Sequence, residues 1–285
     1  MTMNKTEPNM MIKHVLLSLI LAFLSMNRSN AQECGTKIPP GVFKQAQSMA
    51  LAMDTNYFIP HRLLPNINLS ISVYISGKGY DSTLIYDAVN SLNVAFKPIG
   101  ISFTACTISL MKGDEFKSLG NERMEKRITS LHRTERTINL YLLDSLALDG
   151  EQLCGYAYYP TPELHNYIFV KKDCDVANTL IHEMGHFFGL MHTHESSGGK
   201  EYVDESNCSV AGDLVCDTKA SPNLYGAVSA NCEYLYSFTD PHGDYYVPSV
   251  SNYMSYSLSS CRCRFTPGQY KRMVENYWAY LTLLR

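Results

Sequence analysis

Four of the nine histidines fall within thirteen residues, in the string HEMGHFFGLMH that runs from His182 to His192, followed by Thr193 and His194. On an α-helix, at about 100° and about 1.5 Å per residue, His182 and His186 share a face one turn apart, so two imidazoles can reach one ion. On the same helix His192 would lie about 15 Å from His182, far beyond a zinc bond of about 2.0 Å. The helix must therefore break. Gly189 stands where the break is needed, because a left-handed backbone costs Gly little and can swing the chain back to bring His192 under the metal. Three neutral imidazoles leave one position of a tetrahedral zinc open, which separates a catalytic site from a closed structural one. Glu183 can reach a water in that position without being a ligand itself, which is the place of a general base.

The rest of the chain suits an exported globular protein. Hydrophobic residues make up 45% and charged ones 18%, so disorder is excluded. A net charge of -3 offers no basic field for nucleic acid, and none is expected as a partner. Lys5 and Lys13 precede the apolar run Val15 to Leu24, which is too short to span a bilayer, and Ser29-Asn30-Ala31 follows as a small-x-small cut site. Residues 1–31 are thus expected to be a signal peptide, and no later segment is long and apolar enough to anchor the mature chain. All nine cysteines lie beyond that cut, where disulfides form, and the odd number leaves at least one thiol unpaired in a monomer. Oligomeric state stays open.

Residues 32–66 read as an irregular leader, interrupted by Pro39-Pro40-Gly41, Pro60 and Pro65. A catalytic domain is expected from 67 to 285, with an upper lobe of about 67–192 and a lower lobe of about 193–285. Ile67, Leu69, Ile71, Val73 and Ile75 alternate with polar residues as in a half-buried strand. Asp81 can cap a helix carrying Leu84, Ile85, Ala88, Val89, Leu92, Ala95 and Phe96. Further strands are expected at Ile101–Ala105, Ile138–Leu142 and Tyr167–Val170, with helices over Glu122–Leu131 and after Asp175. Strands alternating with helices predict an α/β (α+β) fold around a twisted, mostly parallel sheet. The lower lobe reads as loop-rich and disulfide-tied. Pro267 opens a last helix whose apolar stripe includes Tyr270, Met273, Val274, Tyr277 and Trp278.

The histidine string resembles the signature of the metzincin clan of zinc peptidases, which implies zinc at His182, His186 and His192, Glu183 as base, and a methionine turn beneath the metal. Asn252-Tyr253-Met254-Ser255-Tyr256 supplies that turn, with Met254 resembling its methionine. Tyr256 resembles the tyrosine that some members place over the open side of the zinc. Within the clan the chain is most similar to the pappalysin family, over roughly Ser70 to the C-terminus. Ser255 and Lys219 depart from the family's frequent Asp and Pro. The resemblance implies protein or peptide substrates, and in some relatives a preference for basic residues after the cut. It also implies calcium in the loop after the third histidine, with Asp213 and Asp217 as candidate ligands. Family members often carry an N-terminal Cys-Gly-Thr, here Cys34-Gly35-Thr36. A Cys34 thiolate on the open zinc position would hold a zymogen latent, while the other reading pairs Cys34 in a disulfide. The expectation is a secreted zinc endopeptidase made as a latent precursor. An extracellular binding module stabilised by zinc would share the histidines but has no need of Glu183.

Overall fold

The computed structural model describes residues 32–52, 66–77, 81–163 and 165–284. The expected signal peptide and its cut after Ala31 lie outside them. The eight strands run β1 (Gln32–Cys34), β2 (Ile67–Ser76), β3 (Ile101–Met111), β4 (Ser118–Leu119), β5 (Ile138–Leu143), β6 (Ser145–Leu148), β7 (Glu151–Ala157) and β8 (Tyr167–Lys171). Five helices accompany them: α1 (Pro40–Ala52), α2 (Ser82–Phe96), α3 (Glu122–Leu131), α4 (Val176–Phe187) and α5 (Pro267–Asn276). The sheet order is β3-β2-β5-β8-β7-β6-β4, with β1 added against β7. From β3 to β8 all neighbours are parallel, whereas β7 runs antiparallel to β8 and to β6.

The alternating apolar residues of β2 face a core shared with α2, α4 and α5, built on Leu69, Ile71, Leu92, Phe96, Leu140, Ile168 and Leu180. Each such fully buried side chain contributes about 1.5–3 kcal/mol of burial free energy. The opposite face is covered as well. Ser72 and Ser76 are buried, and Tyr74, Tyr141, Phe169 and Ile128 of α3 form a second core there. β2 is therefore buried on both faces rather than half-buried, because α3 and the β4 segment close over its polar side.

The helix starts follow their capping residues. Asp81 accepts from Thr83 N, Asp175 from Asn178 N, and Thr266 with Gln269 forms a capping box ahead of Pro267. Two expectations need correction. Residues 32–66 are not uniformly irregular: Pro40 costs nothing in the first turn of α1, and Phe43 on that helix packs with Tyr159, Met191 and Leu214 of the domain. The last helix widens to a π turn at Tyr277–Leu281, which rotates Trp278 to the surface while Tyr277 stays buried.

Three disulfides form, Cys154–Cys174, Cys208–Cys216 and Cys232–Cys261, leaving Cys34, Cys106 and Cys263 as thiols. Two of the three lie in the loop-rich region 193–266, where there is little regular structure to fix the chain. Closing loops of this size contributes about 2–4 kcal/mol each in the chain-entropy picture. Among the described residues no helix is long and apolar enough to cross a membrane.

Candidate metal centre and active site

α4 carries His182, Glu183 and His186 on a buried face, and ends as the string predicts. Gly189 takes φ 86°, its N–H bonds to His186 O, and Leu190 N bonds back to Gly185 O. A side chain at 189 would also strike Asn276, so both conformation and space require Gly. The reversal brings His192 Nε2 to 3.0 Å from His186 Nε2, which lies 3.2 Å from His182 Nε2.

These distances fit an ion. Ligand atoms at about 2.0–2.1 Å from a tetrahedral zinc stand roughly 3.3 Å from one another. The remote nitrogens are engaged elsewhere, since His182 Nδ1 donates to Tyr253 O and His186 Nδ1 to Leu190 O, both at 2.7 Å, which leaves each Nε2 lone pair toward the centre. Burial pushes all three imidazoles down, His186 to about 3, so they are neutral at pH 7, the form that ligates.

Cys34 completes the cluster. Its Sγ and the three imidazole nitrogens lie within 4.8 Å of one another, all buried. From the protein's own groups alone, burial and then the Glu183 carboxylate push the thiol up, so a thiolate here needs a cation beside it. β1 delivers Cys34 by pairing parallel with β7, Cys34 opposite Gly155. Gly35 permits the approach, because a side chain there would meet Leu153. Three further contacts were not legible in the sequence. Thr36 Oγ1 donates to Glu183 Oε2 at 3.2 Å and accepts from Ala157 N, and Tyr256 Oη donates to Cys34 O at 2.9 Å. The Cys-Gly-Thr segment therefore touches Glu183, Tyr256 and the histidine cluster at once.

Asn252 pins the turn that bears Met254 and Tyr256. Its Oδ1 accepts from Met254 N, and its amide is hydrogen-bonded with Gln269 at the start of α5. Met254 is fully buried and lies under α4 at Gly185, where a Cβ would stand 2.4 Å from its sulfur. Gly185, a poor residue for a helix interior, is thus the space the methionine occupies. The Tyr256 ring lies 4.6 Å from that of His192.

In the loop after the histidines Asp213 and Asp217 separate. Asp213 is buried, and its Oδ1 accepts from Val215 N and Thr218 Oγ1. Asp217 fastens α5 instead, accepting from Thr266 Oγ1 at 2.6 Å and from Gly268 N at 2.7 Å. The residue that joins Asp213 is Glu201, which the sequence did not single out. Among the described residues, neither Glu201 carboxylate oxygen nor Asp213 Oδ2 has a hydrogen-bond partner. Burial, helped by Asp213, pushes Glu201 up to about 9, and burial pushes Asp213 up to about 6.

Residues 123–277, more than half of the chain, match the peptidase M43 family described as pregnancy-associated plasma protein-A. The chain belongs to this family of metallopeptidases, the pappalysins. An extracellular metalloprotease of Podospora anserina is 32% identical over 237 residues, covering 74% of this chain and 70% of that protein. Extracellular metalloprotease 1 of Coccidioides posadasii is 28% identical over 284 residues, 90% of this chain and 94% of that one. Among solved structures, mature mirolysin of Tannerella forsythia in complex with a cleaved peptide superposes with a TM-score of 0.53 at 18% identity, over 73% of this chain and 90% of that one, a likeness in fold. The expected metzincin-like α/β fold is borne out, and this pappalysin is a zinc metallopeptidase.

Proposed function

We propose that the chain is a secreted endopeptidase kept latent by its own residues 32–66, with His182, His186 and His192 holding zinc and Glu183 as general base. The observation that carries this reading is the meeting of three imidazole nitrogens around one point, with Glu183 beside them and outside the ligand set. Zinc bound there supplies a Lewis acid that polarises a carbonyl and acidifies water. Glu183 takes the proton of the attacking water and passes it to the leaving amine. Once Cys34 has left, the Tyr256 hydroxyl would donate instead to the oxyanion that develops on the scissile carbonyl. In the precursor, Cys34 would join the three histidines in holding zinc while Thr36 donates to Glu183, so metal and base would be withheld together.

The test is cleavage of gelatin by the chain after leader removal, with zinc measured on the same sample. Chelator-sensitive cleavage with about one zinc per chain is the expected outcome. Zinc without cleavage, on a sample shown to lack the leader, would favour a binding module.

Calcium belongs to the same reading. We place it at Asp213 and Glu201, whose buried oxygens it would satisfy, with Asp217 left as the clasp on α5. Saturating calcium added after EGTA treatment is expected to raise Tm by roughly 5 °C or more. Glu201→Gln should remove most of that response, and a wild-type Tm that does not move would retire the site.

A further inference from the structure

We propose that His194 is a positioning residue for the third zinc ligand, His192, and that it acts through the flat face of its ring rather than through a hydrogen bond. His194 stands outside the four residues whose ligand atoms converge. The inference rests on the zinc reading above and concerns only how firmly the ion is kept.

The three ligands are not supported alike. An imidazole binds a metal through a lone pair in the plane of its ring, so the ring must be kept from tilting, and a hydrogen bond at the remote nitrogen does this. His182 Nδ1 has Tyr253 O and His186 Nδ1 has Leu190 O, each at 2.7 Å. Both acceptors are backbone atoms fixed by the fold. His192 meets His186 through Nε2, but among the described residues no hydrogen bond reaches its Nδ1. The residue is 7% exposed, so solvent offers little in place of that bond.

What bears on His192 is aromatic. Its ring lies 5.0 Å from that of His194, with 20° between the planes, and 5.2 Å from that of His182, at 28°. The Tyr256 ring meets both His192 and His194, at 4.6 and 4.5 Å. Such separations are those at which aromatic rings attract. The backbone sets His194 in place, because Thr193 N donates to Met254 O and Glu195 N to His192 O, a tight turn that folds residue 194 back against residue 192. The polar edge of His194 is not what the site uses. Its Nδ1 is buried and, among the described residues, has no hydrogen-bond partner. A phenyl ring would offer the same face without either nitrogen, whereas an asparagine would offer a nitrogen without the face.

The uncut full chain is loaded with zinc and mixed with excess chelator, and the rate of zinc release is followed. Turnover is not the readout, because His194 also touches Tyr256. His194→Ala and His194→Asn are each expected to release zinc about 10–100-fold faster than wild type, the range found when the support of a metal-bound histidine is removed. His194→Phe should stay within about threefold of wild type. Leu224→Ala, a buried change in a separate apolar cluster, controls for a general loss of stability and should leave the rate within about threefold as well. If His194→Ala fails to fold, the comparison of Asn with Phe decides. Release at the wild-type rate from both ring-less variants, release from His194→Phe as fast as from His194→Asn, or an equal effect of Leu224→Ala overturns the assignment and leaves the zinc reading intact. A wild-type chain that takes up no zinc overturns both.

Discussion

Glu183→Gln is expected to lower turnover by about 10²–10⁴-fold while the chain keeps its fold and about one zinc. The side chain is fully buried, and Gln fills nearly the same volume, so the change removes a proton acceptor and little else. Thr36 Oγ1 can still donate, now to the amide oxygen. Because the carboxylate is outside the cluster of four convergent ligand atoms, its loss should not release the metal. Activity and zinc content measured on one preparation separate the two readings. A binding module would have no wild-type cleavage for the change to lower, and activity within a few fold of wild type would sink the role of base. Loss of zinc along with activity would mean that Glu183 helps hold the site together.

Cys34→Ala is expected to give the uncut chain a hydrolytic activity at least about tenfold above that of the uncut wild type. Cys34 offers the only non-imidazole atom in the four-residue cluster, and it is 1% exposed in the described chain. Removing the sulfur leaves β1 and Thr36 in place, so the gain measures the thiol's own share of latency. Thr36→Ala should give a smaller gain, because Glu183 is uncovered while the metal position stays filled. If uncut Cys34→Ala is as silent as wild type, while both become active once the leader is removed, the thiol is not what restrains the enzyme.

The active-site helix and its reversal were legible because their geometry is local. The spacing of His182, His186, Gly189 and His192 is a statement about helix pitch and one left-handed residue. Asn252, Met254 and Tyr256 could be read as a unit for the same reason. What escaped notice depends on distant partners. β7 carries Gln152, Leu153, Cys154 and Gly155, a run with no clear period, since it is flanked by β6, β8 and β1 and its burial follows these neighbours. Glu201 looks like any loop carboxylate until folding sets it near Asp213, and Asp217 looks like a ligand until α5 arrives with its unpaired N–H groups. Gly185 and Gly155 are explained only by what approaches them, Met254 in one case and Glu183 with Thr179 in the other. Gly189 alone among these glycines announces its purpose from the sequence.

The strand β1 is three residues long, and its pairing with β7 spans Gln32 to Cys34. So short a strand has little affinity of its own and stays in place because it is joined covalently to the domain it covers. While the joining chain is intact, the local concentration of the segment is on the order of millimolar. A single cut after Thr36 would leave every contact in place and yet exchange that concentration for the concentration in the surrounding fluid. On the latent reading proposed above, dilution would then carry the fragment away, so unmasking would be a committed step whose direction is set by volume rather than by any change in the cleft.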